Sequence, residues 1–201
     1  IDMNQSKRAT CLNYSRIRLQ EGEPLLVMSA SEVCFLRAEG ALRGWNMGGQ
    51  TAQQYYEQGI RVSMEEKKAT LGNYLSSTAH PADYADYEQS YKYSAMSTVS
   101  PKWDTAAGFE ENLERIIIQK WIATYPSGWE TWADIRRTGY PKFFPIVDNK
   151  SNSTVSSSRG MRRLPFPESE KNTNTANVEA AVAMLEGSDT AATDLWWAKK
   201  D

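Results

Sequence analysis

The feature that most constrains this chain is a stripe of large apolar side chains at Phe109, Leu113, Ile116, Ile117, Trp121 and Tyr125, closed by Pro126. Their three- and four-residue spacing places all six on one face of a long α-helix. Glu110, Glu111 and Glu114 sit near its start, where the positive end of the helix dipole favours carboxylates. A helix of this kind buries its stripe only against other elements, so the rest of the chain must supply them. Directly after Pro126, Ser127 with Glu130 predicts a capping box, Trp129, Trp132 and Ile135 continue a helical face, and Gly139 with Pro141 predicts the stop. Two helices therefore follow each other almost without a loop.

An earlier segment reads as a helix hairpin. Ser29 with Glu32 predicts a capped start, and Cys34, Phe35, Ala38, Ala41, Leu42 and Trp45 form an apolar stripe. Gly44 to Gly49 make the turn, Thr51 with Gln54 predicts a second cap, and Tyr56, Ile60 and Met64 recur at intervals of four. Small residues at Ala38, Gly40, Ala41 and Gly59 let two such helices approach closely, as in tetratricopeptide-like units, although no second copy follows one repeat length away. The fold class is mainly α, with helix hairpins and irregular loops.

Between Gly72 and Pro101 the period is lost and tyrosines accumulate. Tyr84, Tyr87 and Tyr91 have helical spacing, so a short tyrosine-packed helix is the first expectation and an aromatic ligand platform the second. Asp148 to Gly160 is polar and predicts an exposed loop. Arg162 to Pro167 must be extended, because proline disfavours helix in the residue before it. A last helix is expected from Asn177 to Glu186, with Val178, Val182 and Leu185 inward and Gly187 as its stop, ahead of Trp196-Trp197.

Several function classes lose ground on these residues. Lys and Arg number 23 against 25 Asp and Glu, a balance that attracts no polyanion, so nucleic acid is not an expected partner. His80 is the sole histidine, and C-x-x-C, H-E-x-x-H, G-x-S-x-G and phosphate-loop patterns do not occur, so neither a metal nor a cofactor is expected. Glu110, Glu111 and Glu114 are helix neighbours in a solvated first turn, a poor arrangement for the facing carboxylates of a glycosidase. Arg136 and Arg137 are expected to join an internal network with Asp134, with ring stacking as the alternative. Cys11 and Cys34 have the option of a disulfide, the plainer reading of Cys34 being a small core residue. No basic and apolar leader opens the chain, which implies a removed signal or a missing start.

Three blocks resemble one family. Phe35-Leu36-Arg37-Ala38-Glu39-Gly40-Ala41-Leu42-Arg43-Gly44-Trp45 with Tyr56-Glu57-Gln58-Gly59-Ile60-Arg61 is similar to the helix hairpin of SusD/RagB nutrient-binding lipoproteins of Bacteroidota. Ile118-Gln119-Lys120-Trp121-Ile122-Ala123 with Trp129-Glu130-Thr131-Trp132-Ala133-Asp134-Ile135-Arg136-Arg137-Thr138-Gly139-Tyr140-Pro141 resembles a second family block, and Arg163-Leu164-Pro165-Phe166-Pro167-Glu168-Ser169-Glu170 with Asn174, Asn177 and Val178 a third. The resemblance implies that residues 1–201 are the C-terminal part of a single SusD-like domain, whose other half carries the lipidated cysteine that anchors it to the cell surface at the outer membrane. It also implies a binding protein, without catalysis or cofactor, that holds glycan or peptide as the lid of a SusC-like TonB-dependent transporter. Ligand-contacting aromatics of the family lie largely in variable loops, so the candidates here are rings outside the matching blocks: Tyr84, Tyr87, Tyr91, Tyr93 and Trp103. The competing readings are a helical-repeat module for a protein or peptide and, behind it, a glycan-processing enzyme.

Overall fold

In the computed structural model, which describes residues 21–22, 26–86 and 90–198, helices carry most of the regular structure. They are α1 (Ala30–Leu42), α2 (Ala52–Glu66), α3 (Phe109–Thr124), α4 (Gly128–Thr138), α5 (Glu168–Thr173) and α6 (Thr175–Ala183). A two-stranded antiparallel ribbon, β1 (Tyr84–Ala85) and β2 (Lys92–Tyr93), lies between α2 and α3 in sequence. The chain divides into two compact units, Ile1–Ala123 and Thr124–Asp201.

The first unit is built on the α1–α2 hairpin. Both expected caps form at the backbone: Ser29 Oγ accepts from Glu32 N–H at 3.1 Å, and Thr51 with Gln54 makes a reciprocal capping box. Glu32 turns its carboxylate to Lys120 of α3, 3.6 Å away, so one residue serves helix start and tertiary contact. The last residue of α2 completes the start of α1: Glu66 accepts from Ala30 N–H and Ser31 N–H and from the Ser31 hydroxyl, at 2.9, 3.3 and 2.6 Å. A carboxylate there satisfies orphan donors and faces the positive end of the dipole.

Close packing joins the two helices. A Cβ at Gly59 would stand 2.8 Å from Phe35 Cε1, so only glycine admits that ring. The turn is clamped by Arg37, which donates to Met47 O at 2.7 Å and to the Tyr55 hydroxyl at 2.5 Å, with its guanidinium 4.2 Å from the Tyr55 ring centre. Gly48, at φ 104°, passes beneath this clamp in a conformation that side chains rarely adopt. Phe35, Ala38, Tyr55, Tyr56 and Ile60 form a buried cluster with Ile116 and Ala123 of α3. Each large apolar side chain enclosed there contributes about 1.5–3 kcal/mol. Cys34 is half-buried, and burial raises its thiol above the ordinary value. Cys11, and with it the disulfide option, lies outside the described residues.

The α3 stripe needs correction. Leu113, Ile116 and Ile117 are buried as expected, but Phe109, Trp121 and Tyr125 are 40%, 43% and 55% exposed. Asn112, Glu114, Arg115, Gln119 and Lys120 are buried instead. The middle of α3 is enclosed on more than one side, so its polar residues are interior and need partners. Arg115 finds three, donating to Ser100 O, Asn112 Oδ1 and Glu111 Oε1 at 3.1, 2.5 and 3.0 Å.

The second unit depends on polar contacts. Ser127 precedes α4 without a side-chain cap bond, because its ψ of 96° falls short of the 154° and 165° at Ser29 and Thr51. Gly139 ends α4 as expected, at φ 83° with its N–H on Ile135 O. The last helix begins earlier than expected, at Thr175, and the short α5 precedes it. Glu186, at φ 54°, takes the left-handed position expected of Gly187, while a Cβ at Gly187 would stand 3.0 Å from Thr193 Cγ2. Asn149 holds the polar loop internally, donating to Val155 O and Ser157 Oγ, both at 2.8 Å. Residues 162–167 contain no helix or strand, in agreement with their prolines.

Candidate functional site

The tyrosine-rich stretch is a ribbon rather than the helix its spacing suggested. Tyr84 pairs directly with Tyr93 and Ala85 with Lys92, and Asp86 N–H donates to Tyr91 O at 3.1 Å, extending the same register. Alternation along each strand then sets Tyr84, Tyr91 and Tyr93 on one face together with Asp86. The physical reason is local: tyrosine fits a pleated surface well, and Asp86 Oδ1 accepts Tyr91 N–H at 2.7 Å, tying the ends of the two strands together. Tyr84 and Tyr91 are 40% and 52% exposed and Tyr93 is half-buried. Asp83 accepts from Ala95 N–H at 2.8 Å, tying together the two legs that carry the ribbon.

The other two candidate rings fall differently. Tyr87 lies outside the described residues. Trp103 stands on the edge of the core, its ring centre 5.2 Å from that of Tyr56, whose hydroxyl donates to Pro101 O at 2.6 Å. Burial, with the neighbouring Tyr74 second, raises Tyr56 far above the ordinary phenol value and keeps it a donor.

At the base of the ribbon the same two legs meet α3 around a cavity of about 350 Å³. Ala79, His80 and Pro81 come from the leg entering β1, Val99 to Pro101 from the leg leaving β2, and Ile118, Gln119, Trp121 and Ile122 from α3. Tyr74 completes the wall, its hydroxyl donating to Gln119 Oε1 at 3.1 Å and accepting from Nε2 at 3.0 Å. Sequence reading missed this cavity, since Tyr74 and Gln119 are 45 positions apart and carry no shared motif.

The remaining features mainly stabilise. Glu111, at the acidic start of α3, is committed to Arg115 at 3.0 Å. Arg137 pairs with Asp134 at 3.0 Å, as expected, while Arg136 follows the alternative and stacks 3.6 Å from Trp132 and 4.7 Å from Trp197. Burial and the nearby Arg162 charge lower the Arg136 pKa. A groove of about 500 Å³ runs along α6, but Lys171 at its edge is held by Asp189 at 3.2 Å. Burial raises Asp189, yet hydrogen bonds from Arg163, Phe166 N–H and Lys171 outweigh it and hold the carboxyl below its usual value. Among the described residues no group of three or more His, Cys, Asp or Glu converges as a metal site, and no helix is long and apolar enough to cross a membrane.

A family model described as Susd and RagB outer membrane lipoprotein matches residues 1–198. This chain belongs to the SusD-like family. Similar solved structures include a SusD homolog from Bacteroides uniformis, 48% identical with a TM-score of 0.89 over 94% of this chain and 40% of that one. Another, from Bacteroides thetaiotaomicron, is 45% identical with a TM-score of 0.85 over 92% of this chain and 40% of that one. A chitin-binding SusD homolog from Flavobacterium johnsoniae is 43% identical with a TM-score of 0.80, over 87% of this chain and 37% of its own length. This chain thus spans about two fifths of the SusD homologs it resembles. No curated protein matches it. The helical fold and the three SusD-like sequence blocks agree with this membership.

Proposed function

We propose that this chain is the C-terminal part of a cell-surface SusD-like subunit that captures a glycan and passes it, unaltered, to a SusC-like TonB-dependent transporter in the outer membrane. The observation that carries the reading is the ribbon face, where the register sets three tyrosines side by side and two are exposed. Sugars present C–H faces to aromatic rings and hydroxyl rims to polar neighbours, so a row of tyrosines with Asp86 suits them. Chitin binding by a relative of 43% identity supports a carbohydrate as the ligand class. A lipid anchor upstream of this chain would hold the subunit at the cell surface, in keeping with the family's description as outer membrane lipoproteins. The carboxylates of α3 serve packing in this reading, so ligand is retained and no product is released.

The test is calorimetry of the full-length protein with oligosaccharides derived from starch, cellulose and chitin. Binding of at least one without hydrolysis, weakened tenfold or more by combined Tyr84→Ala, Tyr91→Ala and Tyr93→Ala substitution, is expected. Unchanged affinity in a folded triple variant removes the ribbon from the site. Copurification of a large outer-membrane barrel tests the transporter partnership separately.

A further inference from the structure

The ribbon stands on a base that apolar packing does not fill. From Ser77 to Pro101 the legs and strands contribute one buried hydrophobic among the described residues, Val99, and the cavity of about 350 Å³ opens between the legs and α3. Protein interiors hold their geometry by close packing, so a segment standing over a void needs another constraint. Hydrogen bonds from the core supply it.

Tyr56 of α2, fully buried, donates to Pro101 O at 2.6 Å, and Arg115 of α3, 3% exposed, donates to the neighbouring Ser100 O at 3.1 Å. Two consecutive carbonyls of the leg leaving β2 are thus held from two different helices. The hold passes to the leg entering β1, because Lys102 N–H donates to Ser77 O at 3.1 Å, and Asp83 repeats the tie on Ala95 N–H at 2.8 Å. Arg115 is itself fixed, donating to Asn112 Oδ1 and Glu111 Oε1 at 2.5 and 3.0 Å. Both anchors are buried at the base, apart from the tyrosine face.

Resting on the glycan-binding reading above, we infer that Tyr56 and Arg115 are positioning residues for the tyrosine face: by clamping Pro101 and Ser100 they present Tyr84, Tyr91 and Tyr93 to a glycan as a preformed row. An arm that had to be ordered on binding would subtract that cost from affinity. Cutting the clamp therefore weakens binding without altering a single ring on the face.

Two conservative variants of the full-length protein test this. Tyr56→Phe keeps the ring against Phe35 and Trp103 and removes only the hydroxyl, and Arg115→Lys keeps the charge but loses the planar fork that serves three acceptors. In each, amide exchange at Tyr91, Ala95 and Lys102 is expected to quicken at least tenfold while the α1–α2 amides hold. Affinity for whichever of the starch-, cellulose- and chitin-derived oligosaccharides binds the wild type should fall at least threefold. Thr51→Ala, which weakens α2 away from the base, is the control for general loss of stability and should change neither reading. Unchanged exchange in the ribbon overturns the inference. So does unchanged affinity in both variants where the triple tyrosine substitution weakens binding, and the glycan-binding reading then stands. If the triple substitution leaves affinity intact, or no oligosaccharide binds, the reading of the ribbon fails and this inference with it.

Discussion

The α1–α2 hairpin and the unit from Thr124 onward solve the problem of cohesion in opposite ways. In the hairpin, Phe35, Tyr55, Tyr56 and Ile60 are all at most 2% exposed, and charged groups work at the ends, where Glu66 caps α1 and Arg37 clamps the turn. In the second unit the buried hydrophobics among the described residues are only Val178, Ala191 and Ala198. Its interior is organised by ions: Arg162 on Asp194 at 2.6 Å, Arg163 on Asp189 at 2.5 Å, and Arg136 between two tryptophans. Arg159 also bonds to Asp194. The difference teaches that family membership does not impose one kind of glue. Apolar mass resists changes of pH and salt, whereas a network of ions depends on every member keeping its charge.

The sharpest test of that contrast is to remove apolar mass from the hairpin. Phe35→Ala is expected to cost about 3–5 kcal/mol, read by chemical denaturation, because it leaves a hole against Gly59 that the helices fill only partly. A loss below about 1 kcal/mol would mean that the hairpin does not rest on its core. Asp194→Asn probes the other side and should cost about 1.5–3 kcal/mol, since Arg162, only 8% exposed at its side chain, keeps its charge without an ionised partner.

The pH dependence follows from the same two carboxylates. Burial raises Asp194 as it does Asp189, but hydrogen bonds from Arg162 and Arg159 and their charges outweigh it, so both lie below the usual carboxylate range. The folded unit therefore binds fewer protons than the unfolded chain. Its stability is complete above the unfolded value of about 4 and is lost as pH falls through the depressed folded values. Melting temperature against pH should drop steeply below about pH 4 in the wild type, and less steeply in Asp194→Asn.

Smaller effects sharpen the comparison further. Thr51→Ala removes the reciprocal box at the start of α2 and should cost about 1 kcal/mol without changing the pH profile. Arg136→Lys keeps the cation but loses the planar stack, so about 0.5–1 kcal/mol is expected, visible as altered tryptophan fluorescence.

The candidate site shows where linear reasoning stops. Tyr84, Tyr87 and Tyr91 satisfy helical spacing, yet Tyr84 and Tyr91 stand on a ribbon, because cross-strand pairing of Tyr84 with Tyr93 and the Asp86–Tyr91 hydrogen bond compete successfully with a spacing carried by only three residues. The cavity was invisible because its walls come from three separated segments, and the Glu66 cap on α1 because 36 residues separate Ala30 from its partner. Helix starts at Ser29 and Thr51 and the stop at Gly139 were legible, since each depends on groups within a few positions of one another.

The sequence by itself determined the mainly helical class, the hairpin and its caps, and α3 and α4, which follow from short-range periodicity and local hydrogen bonding, while three motif blocks carried the resemblance to SusD-like proteins. Only the tertiary structure decided which side of α3 is interior, which arginines meet Asp189 and Asp194, and how the tyrosines and Gln119 are presented. These depend on side chains distant in sequence sharing one enclosed space, where burial makes every polar group seek a partner that no local pattern names.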